Sequence, residues 1–160
     1  MVERMRTDSA STRIDAAPGT VYAALTEAQA LAEWLPPIGM TGEIHEFDAR
    51  PGGTFKMTLT YQDPASAPGK STHDSDVIAA KFEDLVPNER VVWLVRFSSD
   101  DPAFAGIMRM TWNIRSRAEG CEVSIVAEVV PPGISREDHL AGLNSSLQNL
   151  AGYLERRHAG

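Results

Sequence analysis

Four histidines, one cysteine and a scatter of carboxylates are the residues here whose types could do chemistry. His45 is followed by Glu46, and His73 by Asp74 and then Asp76. Imidazole and carboxylate groups bind zinc and related ions, but neither pair has the HExxH or CxxC spacing that presents ligands together. Their glycine, turn and loop surroundings read as solvated polar chain, so no metal and no other cofactor is expected. His139, Ser146 and Tyr153 recur every seven residues. On a helix that interval returns to one face after two turns. The three therefore form either a row of hydrogen-bonding groups at the mouth of a pocket or a polar border between core and solvent. Catalysis would need a buried acid or base beside a cavity. Asp76 shares strand parity with Ile78, Ala80 and Phe82, so it is the one strand carboxylate expected to point inward. Arg109, Asn113, Arg115, Glu122 and Glu128 fall on the face opposite the apolar one. No nucleophile–base pair, phosphate loop or nucleotide motif is present, so no residue is assigned a catalytic role.

The element that positions most of these groups is the last helix, expected from Ser135 to His158. Leu140, Leu143, Leu147, Leu150 and Leu154 stack on one narrow stripe at three- and four-residue steps. The opposite face carries Asp138, Gly142, Ser145, Asn149, Gly152 and Arg156. Pro131, Pro132 and Gly133 stop the preceding segment, and Ser135 is placed to cap the helix. Glu137 and Asp138 suit its positive end, and Arg156, Arg157 and His158 its negative end. Burying one leucine is worth about 1.5–3 kcal/mol, so such a stripe requires a covering surface. The repeat is too short for a coiled coil, which leaves a sheet of the same chain.

That sheet is legible as alternation of period two. The first strand is read at Thr12 to Ala16, after a flexible N-terminus of residues 1–10. Pro18 opens a short helix to Leu25, and a second runs from Ala28 to Trp34 with Thr26 as its expected cap. Further strands are read at Gly42 to Asp48, Phe55 to Tyr61, Ser75 to Leu85, Arg90 to Phe97, Met108 to Arg115 and Cys121 to Val129. Arg50-Pro51-Gly52-Gly53 is a turn, residues 62–72 a mobile loop and residues 98–106 an acidic loop. Val92 and Leu94 make the second face of the Arg90 to Phe97 strand half-apolar, which points to a partner surface such as a homodimer contact.

With 160 residues, 42% of them apolar, the chain suits one domain, read as residues 11–158. The net charge of −7 argues against nucleic acid or an anionic membrane as partner. No run of about 18 apolar residues is present, and residues 1–11 contain no apolar leader. Cys121 is the only cysteine, so an internal disulfide is excluded and the cytoplasm is the expected location. Its parity is inward, the usual place of a small buried thiol.

Four pieces in order carry a family resemblance. They are STRIDAAPGTVYAALT from Ser11 to Thr26 with Ala32-Glu33-Trp34-Leu35-Pro36, the turn Arg50-Pro51-Gly52-Gly53-Thr54-Phe55, the strand pair from Phe82 to Trp93, and the ending from Gly142 to Glu155. Together they resemble the START/birch-pollen-allergen/polyketide-cyclase (SRPBCC) superfamily. More narrowly, they look like the branch named for the activator of the ninety-kilodalton heat-shock-protein ATPase. The resemblance implies an α+β helix-grip fold, in which a curved antiparallel sheet of six to seven strands wraps a long C-terminal helix. The gap between them often holds an apolar ligand. Leu143 stands where this branch often has tryptophan, which implies a wider pocket there.

The resulting expectation is non-catalytic binding of a small apolar or amphipathic molecule. Trp34, Phe55, Met57, Trp93, Met110, Trp112, Leu143 and Leu147 are the expected lining, with Asp76, His139 and Tyr153 as its polar groups. The alternatives are a polyketide-cyclase-like enzyme using Asp76, His139 or Tyr153 as acid or base, and a co-chaperone of the heat-shock ATPase. The short chain weakens the last, because it leaves no room for a second binding domain. Spacing does not distinguish a filled core from a hollow one.

Overall fold

The computed structural model describes residues 6–36, 40–61, 75–97, 107–131 and 133–159, without the side chains of 61, 75–78, 97 and 156–159. The expected loops at 62–72 and 98–106, and the pair His73–Asp74, lie outside the described residues. So do the side chains of Asp76, Arg156, Arg157 and His158.

The alternating stretches form seven strands: β1 (Thr7–Ile14), β2 (Met40–Phe47), β3 (Thr54–Tyr61), β4 (Ser75–Val86), β5 (Arg90–Phe97), β6 (Ile107–Ser116) and β7 (Cys121–Glu128). They build one antiparallel sheet in the order β1-β7-β6-β5-β4-β3-β2. From β2 to β7 each strand pairs with the next in sequence. Only β1 pairs at long range, on β7. Consequently β1 and β2 lie at opposite edges, and the chain between them must cross the sheet. The two short helices α1 (Pro18–Thr26) and α2 (Ala28–Trp34) make that crossing. Pro18 opens α1 without losing a needed hydrogen bond. The Trp34 indole N–H donates to the Ala24 carbonyl at 2.9 Å and ties α2 to α1. Thr26 does not cap α2. It ends α1, and its hydroxyl donates back to the Tyr22 carbonyl at 2.9 Å.

The long helix α3 (Arg136–Ala159) packs most extensively on β1, with further contacts to β7, α1 and α2. Leu143, Leu147, Leu150 and Leu154 are buried and Leu140 partly so, as the stripe requires. The Ser135 hydroxyl accepts the Asp138 amide at 3.1 Å, the expected N-cap. Asn149 is half-buried rather than wholly in water, because its amide reaches the Pro36 carbonyl at 3.4 Å. On β7, Cys121, Val123, Ile125 and Ala127 are buried and alternate with half-exposed residues, as a sheet covered on one face demands.

The first strand starts earlier than its polar sequence suggests. Thr7 to Ile14 pairs residue for residue with Glu128 to Cys121, so positions 7–10 are strand and not a flexible end. The reason is Asp8, whose side chain is fully enclosed and whose charge is compensated by neighbours. The turn before β3 also follows its residue types. Gly52 has φ of 87°, and a Cβ on Gly53 would collide with the Asp48 carbonyl oxygen.

One position breaks the pattern. Val129, just after β7, has φ of 59°, a left-handed conformation that crowds a β-branched side chain. It is exposed, so packing contributes little in return. Val129→Gly should therefore raise stability by about 1 kcal/mol, a Tm gain of about 2–4 °C. Thermal unfolding followed by circular dichroism tests this, and a lower Tm would show that the valine side chain is stabilising where it stands.

Candidate functional site

The helix-facing side of the sheet is a continuous apolar surface. β5 contributes Val91, Trp93 and Val95, and β6 contributes Met108, Trp112 and Ile114, all buried in one cluster with the α3 leucines. Aromatic rings run through it as a chain. Trp34 meets Trp112 edge-on with centroids 5.5 Å apart, and Trp112 meets Trp93 at 5.3 Å. Trp93 meets Phe55 at 5.5 Å, and Phe55 meets Phe47 at 5.5 Å. Edge and tilted contacts of this kind suit the ring quadrupoles.

The eight expected lining residues all fall in or against this cluster. Trp34, Phe55, Met57, Trp93, Trp112, Leu143 and Leu147 are buried, and Met110 is partly so. Met110 is informative because it stands midway along β6 on the helix-facing side. Its cross-strand partners Trp93 and Ala127 are both buried, yet it keeps contact with solvent. Met110 is therefore less covered than the residues it pairs with.

The three tryptophans differ in their polar atoms. The Trp34 N–H has the Ala24 carbonyl, whereas the N–H groups of Trp93 and Trp112 are buried with no acceptor among the described residues. Leaving such a donor unpaired costs about 1–3 kcal/mol. Sequence periodicity places both rings inward but contains no signal about their hydrogen bonds.

Of the expected polar groups, His139 and Tyr153 stand far apart on α3, and the Asp76 side chain lies outside the described residues. The Asp76 backbone pairs with Leu59. Tyr153 is buried near the far end of α3. The fourteen-residue step from His139 to Tyr153 corresponds to about 21 Å along a helix axis. One reacting atom cannot contact both.

His139 instead belongs to an ion-pair cluster at the start of α3. Its Nδ1 lies 2.7 Å from Asp8 Oδ2, and since a carboxylate only accepts, this nitrogen carries the proton. Arg136 Nε donates to Asp8 Oδ1 at 3.0 Å, and Arg6 donates to Oδ2 at 3.0 Å. Burial by itself pushes the Asp8 carboxyl upward. The hydrogen bonds from His139 and Arg136, with the charge of Arg6, outweigh it and hold the carboxyl below the usual range. The cluster joins the first strand to the last helix across 131 residues. Sequence reading missed it, although two signals were present. Asp8 has the same parity as Thr12 and Ile14, and Arg136 is a cation at a helix start, where the dipole disfavours it.

The outer face of the sheet is polar, as its parity predicts. Arg109 bridges Glu83 at 3.1 Å and Glu128 at 3.3 Å, and Arg90 pairs with Asp84 at 2.9 Å. Val92 is buried there and Leu94 half-buried, the latter lining a groove of about 420 Å³ with Lys81, Arg96 and Ile107. His45 is exposed and hydrogen-bonds Thr58 Oγ1 at 2.7 Å. Among the described residues no three histidine, cysteine or acidic side chains group as metal ligands. Burial pushes the Cys121 thiol up, which keeps it protonated. No helix of the described residues is long and apolar enough to cross a membrane.

A curved antiparallel sheet with a long C-terminal helix over an aromatic-rich face is a helix-grip architecture. Residues 15–155 match the family described as Activator of Hsp90 ATPase homolog 1-like protein, and this chain belongs to that family, a branch of the SRPBCC superfamily. A crystal structure of a protein from Chromobacterium violaceum is 34% identical, with 93% of this chain and 96% of that one covered and a TM-score of 0.80. The solution structure of an AHSA1-like protein from Aeromonas hydrophila shares the fold at 16% identity, 97% and 96% coverage and a TM-score of 0.77. A crystal structure from Mesorhizobium loti does so at 21% identity, 94% and 98% coverage and a TM-score of 0.71. No functionally curated protein matches the chain significantly.

The Asp8 cluster has a direct thermodynamic consequence. Its folded carboxyl titrates below its unfolded value of about 3.9. The contribution is therefore complete at neutral pH and is lost as the pH falls through the lower, folded value. Asp8→Asn should cost about 3 kcal/mol at pH near 7, and the gap from the parent should narrow at about pH 3. Urea unfolding at both pH values measures it; a gap independent of pH would exclude the ionised carboxylate as the cause.

Proposed function

We propose that this protein binds a small, mainly apolar molecule between α3 and the sheet, without catalysing its conversion. The observation that carries this reading is the pair of buried indole N–H groups, on Trp93 and Trp112, that have no acceptor among the described residues. A core filled only by its own side chains would leave two strong donors permanently dry, which native interiors rarely tolerate. A ligand that brings an acceptor removes that cost. The solvent contact of Met110 supplies an entrance, and pockets of this type combine apolar walls with a few placed polar groups. The non-catalytic form of the reading is supported by the separation of His139 from Tyr153 and by the engagement of His139 with Asp8.

Native mass spectrometry on freshly purified protein, with organic extraction, should reveal a stoichiometric apolar passenger. The neutral dye N-phenylnaphthylamine should also bind at one site per chain with enhanced fluorescence. Met110→Trp, which places a larger ring at the entrance, should weaken dye binding about tenfold while circular dichroism remains that of the parent. A clean apo mass together with no saturable dye binding would rule the proposal out.

A further inference from the structure

We infer that the ligand is a neutral molecule whose single carbonyl oxygen accepts hydrogen bonds from the indole N–H groups of both Trp93 and Trp112. This rests on the binding proposal above and adds the chemical class of the ligand.

The sheet geometry accounts for the absence of acceptors for these donors among the described residues. Trp93 on β5 is paired with Met110 and Trp112 on β6 with Val91, so the two rings are diagonal neighbours on one face, 5.3 Å apart. The backbone carbonyls around them are committed to the β5–β6 ladder in the sheet plane, while the side chains stand off that plane. Trp34 escapes this difficulty because it leaves a helix end and meets the free Ala24 carbonyl. An indole N–H can only donate, so the missing group must accept, and a carbonyl oxygen has two lone pairs for two donors.

Around the pair the helix-facing side chains are Val91, Val95, Met108, Met110 and Ala127, all apolar. The Arg109 guanidinium lies on the opposite face, bound to Glu83 and Glu128. Arg6, Arg136 and His139 are already engaged by Asp8. A carboxylate or phosphate head beside the two indoles would thus be desolvated with no cation among the described residues to balance it, which is strongly unfavourable. A neutral oxygen avoids that penalty. The surrounding ring chain from Trp34 to Phe55 favours a flat aromatic body for the rest of the molecule.

Three probes of nearly equal shape separate these statements: fluorene, fluorenone, and fluorene carboxylate. Fluorenone differs from fluorene essentially by its carbonyl. We expect fluorenone to bind about tenfold more tightly than fluorene and the carboxylate to bind most weakly. In protein carrying nitrogen-15 tryptophan, fluorenone should shift the Trp93 and Trp112 indole N–H resonances downfield and leave that of Trp34 in place. Trp93→Phe and Trp112→Phe should each lower the ratio of fluorenone to fluorene affinity, which cancels the loss of ring surface common to both probes. Because the comparison of probes uses the parent protein, it remains decisive if either variant folds poorly. Equal binding of fluorene and fluorenone would overturn the acceptor assignment, and tightest binding of the carboxylate would overturn neutrality. If N-phenylnaphthylamine binds but none of the three probes does, the aromatic carbonyl class is wrong while the pocket stands. If the dye fails as well and the purified protein carries no passenger by native mass spectrometry, the binding proposal itself is refuted.

Discussion

A carboxylate with no exposed side-chain surface sits where the first strand meets the last helix, and the arrangement of the molecule depends on it. Asp8 is too costly to bury alone. Its ion pair to Arg136 and its hydrogen bond from His139 hold the start of α3 over β1, and Arg6 completes the set. β1 in turn is an edge strand, held only by β7. The helix and the ion pairs together cover that edge's inner face and fix the helix axis relative to the sheet.

From that anchor the rest of the interior follows. With α3 held towards β1, the middle strands β5 and β6 need other cover, and the bulky rings of Trp93, Trp112, Trp34 and Phe55 supply much of it. Large rigid rings fill space less adaptably than aliphatic chains do. The partly exposed Met110 and the indole donors with no acceptor among the described residues occur in this same region. Helix position, aromatic filling and unmet hydrogen-bonding capacity are thus consequences of one geometry.

Much of this fold was legible because its signals are local. The alternation in β7, the leucine stripe, the Pro18 helix start and the Ser135 cap each involve residues a few positions apart. The inward placement of Phe55, Met57, Trp93 and Trp112 was legible for the same reason, since parity alone puts them on one face. Thr26 shows the limit of a local rule: a suitable capping residue lay one position too early and bonded back into its own helix. The polar row of His139, Ser146 and Tyr153 shows another, because shared helical phase does not mean shared surroundings. His139 meets Asp8 while Tyr153 lies several turns away.

By itself, the sequence determined the elements, their order and their inward faces, because hydrophobic periodicity and turn chemistry act over a few residues. Only the tertiary structure decided that residues 7–10 are strand, that Asp8 is a buried ion-pair centre, and that two of three tryptophans have no acceptor among the described residues. Each of these depends on which groups meet across long separations in the chain. Hydrogen bonds and ion pairs act over about 3 Å, and no one-dimensional spacing specifies which distant groups come that close.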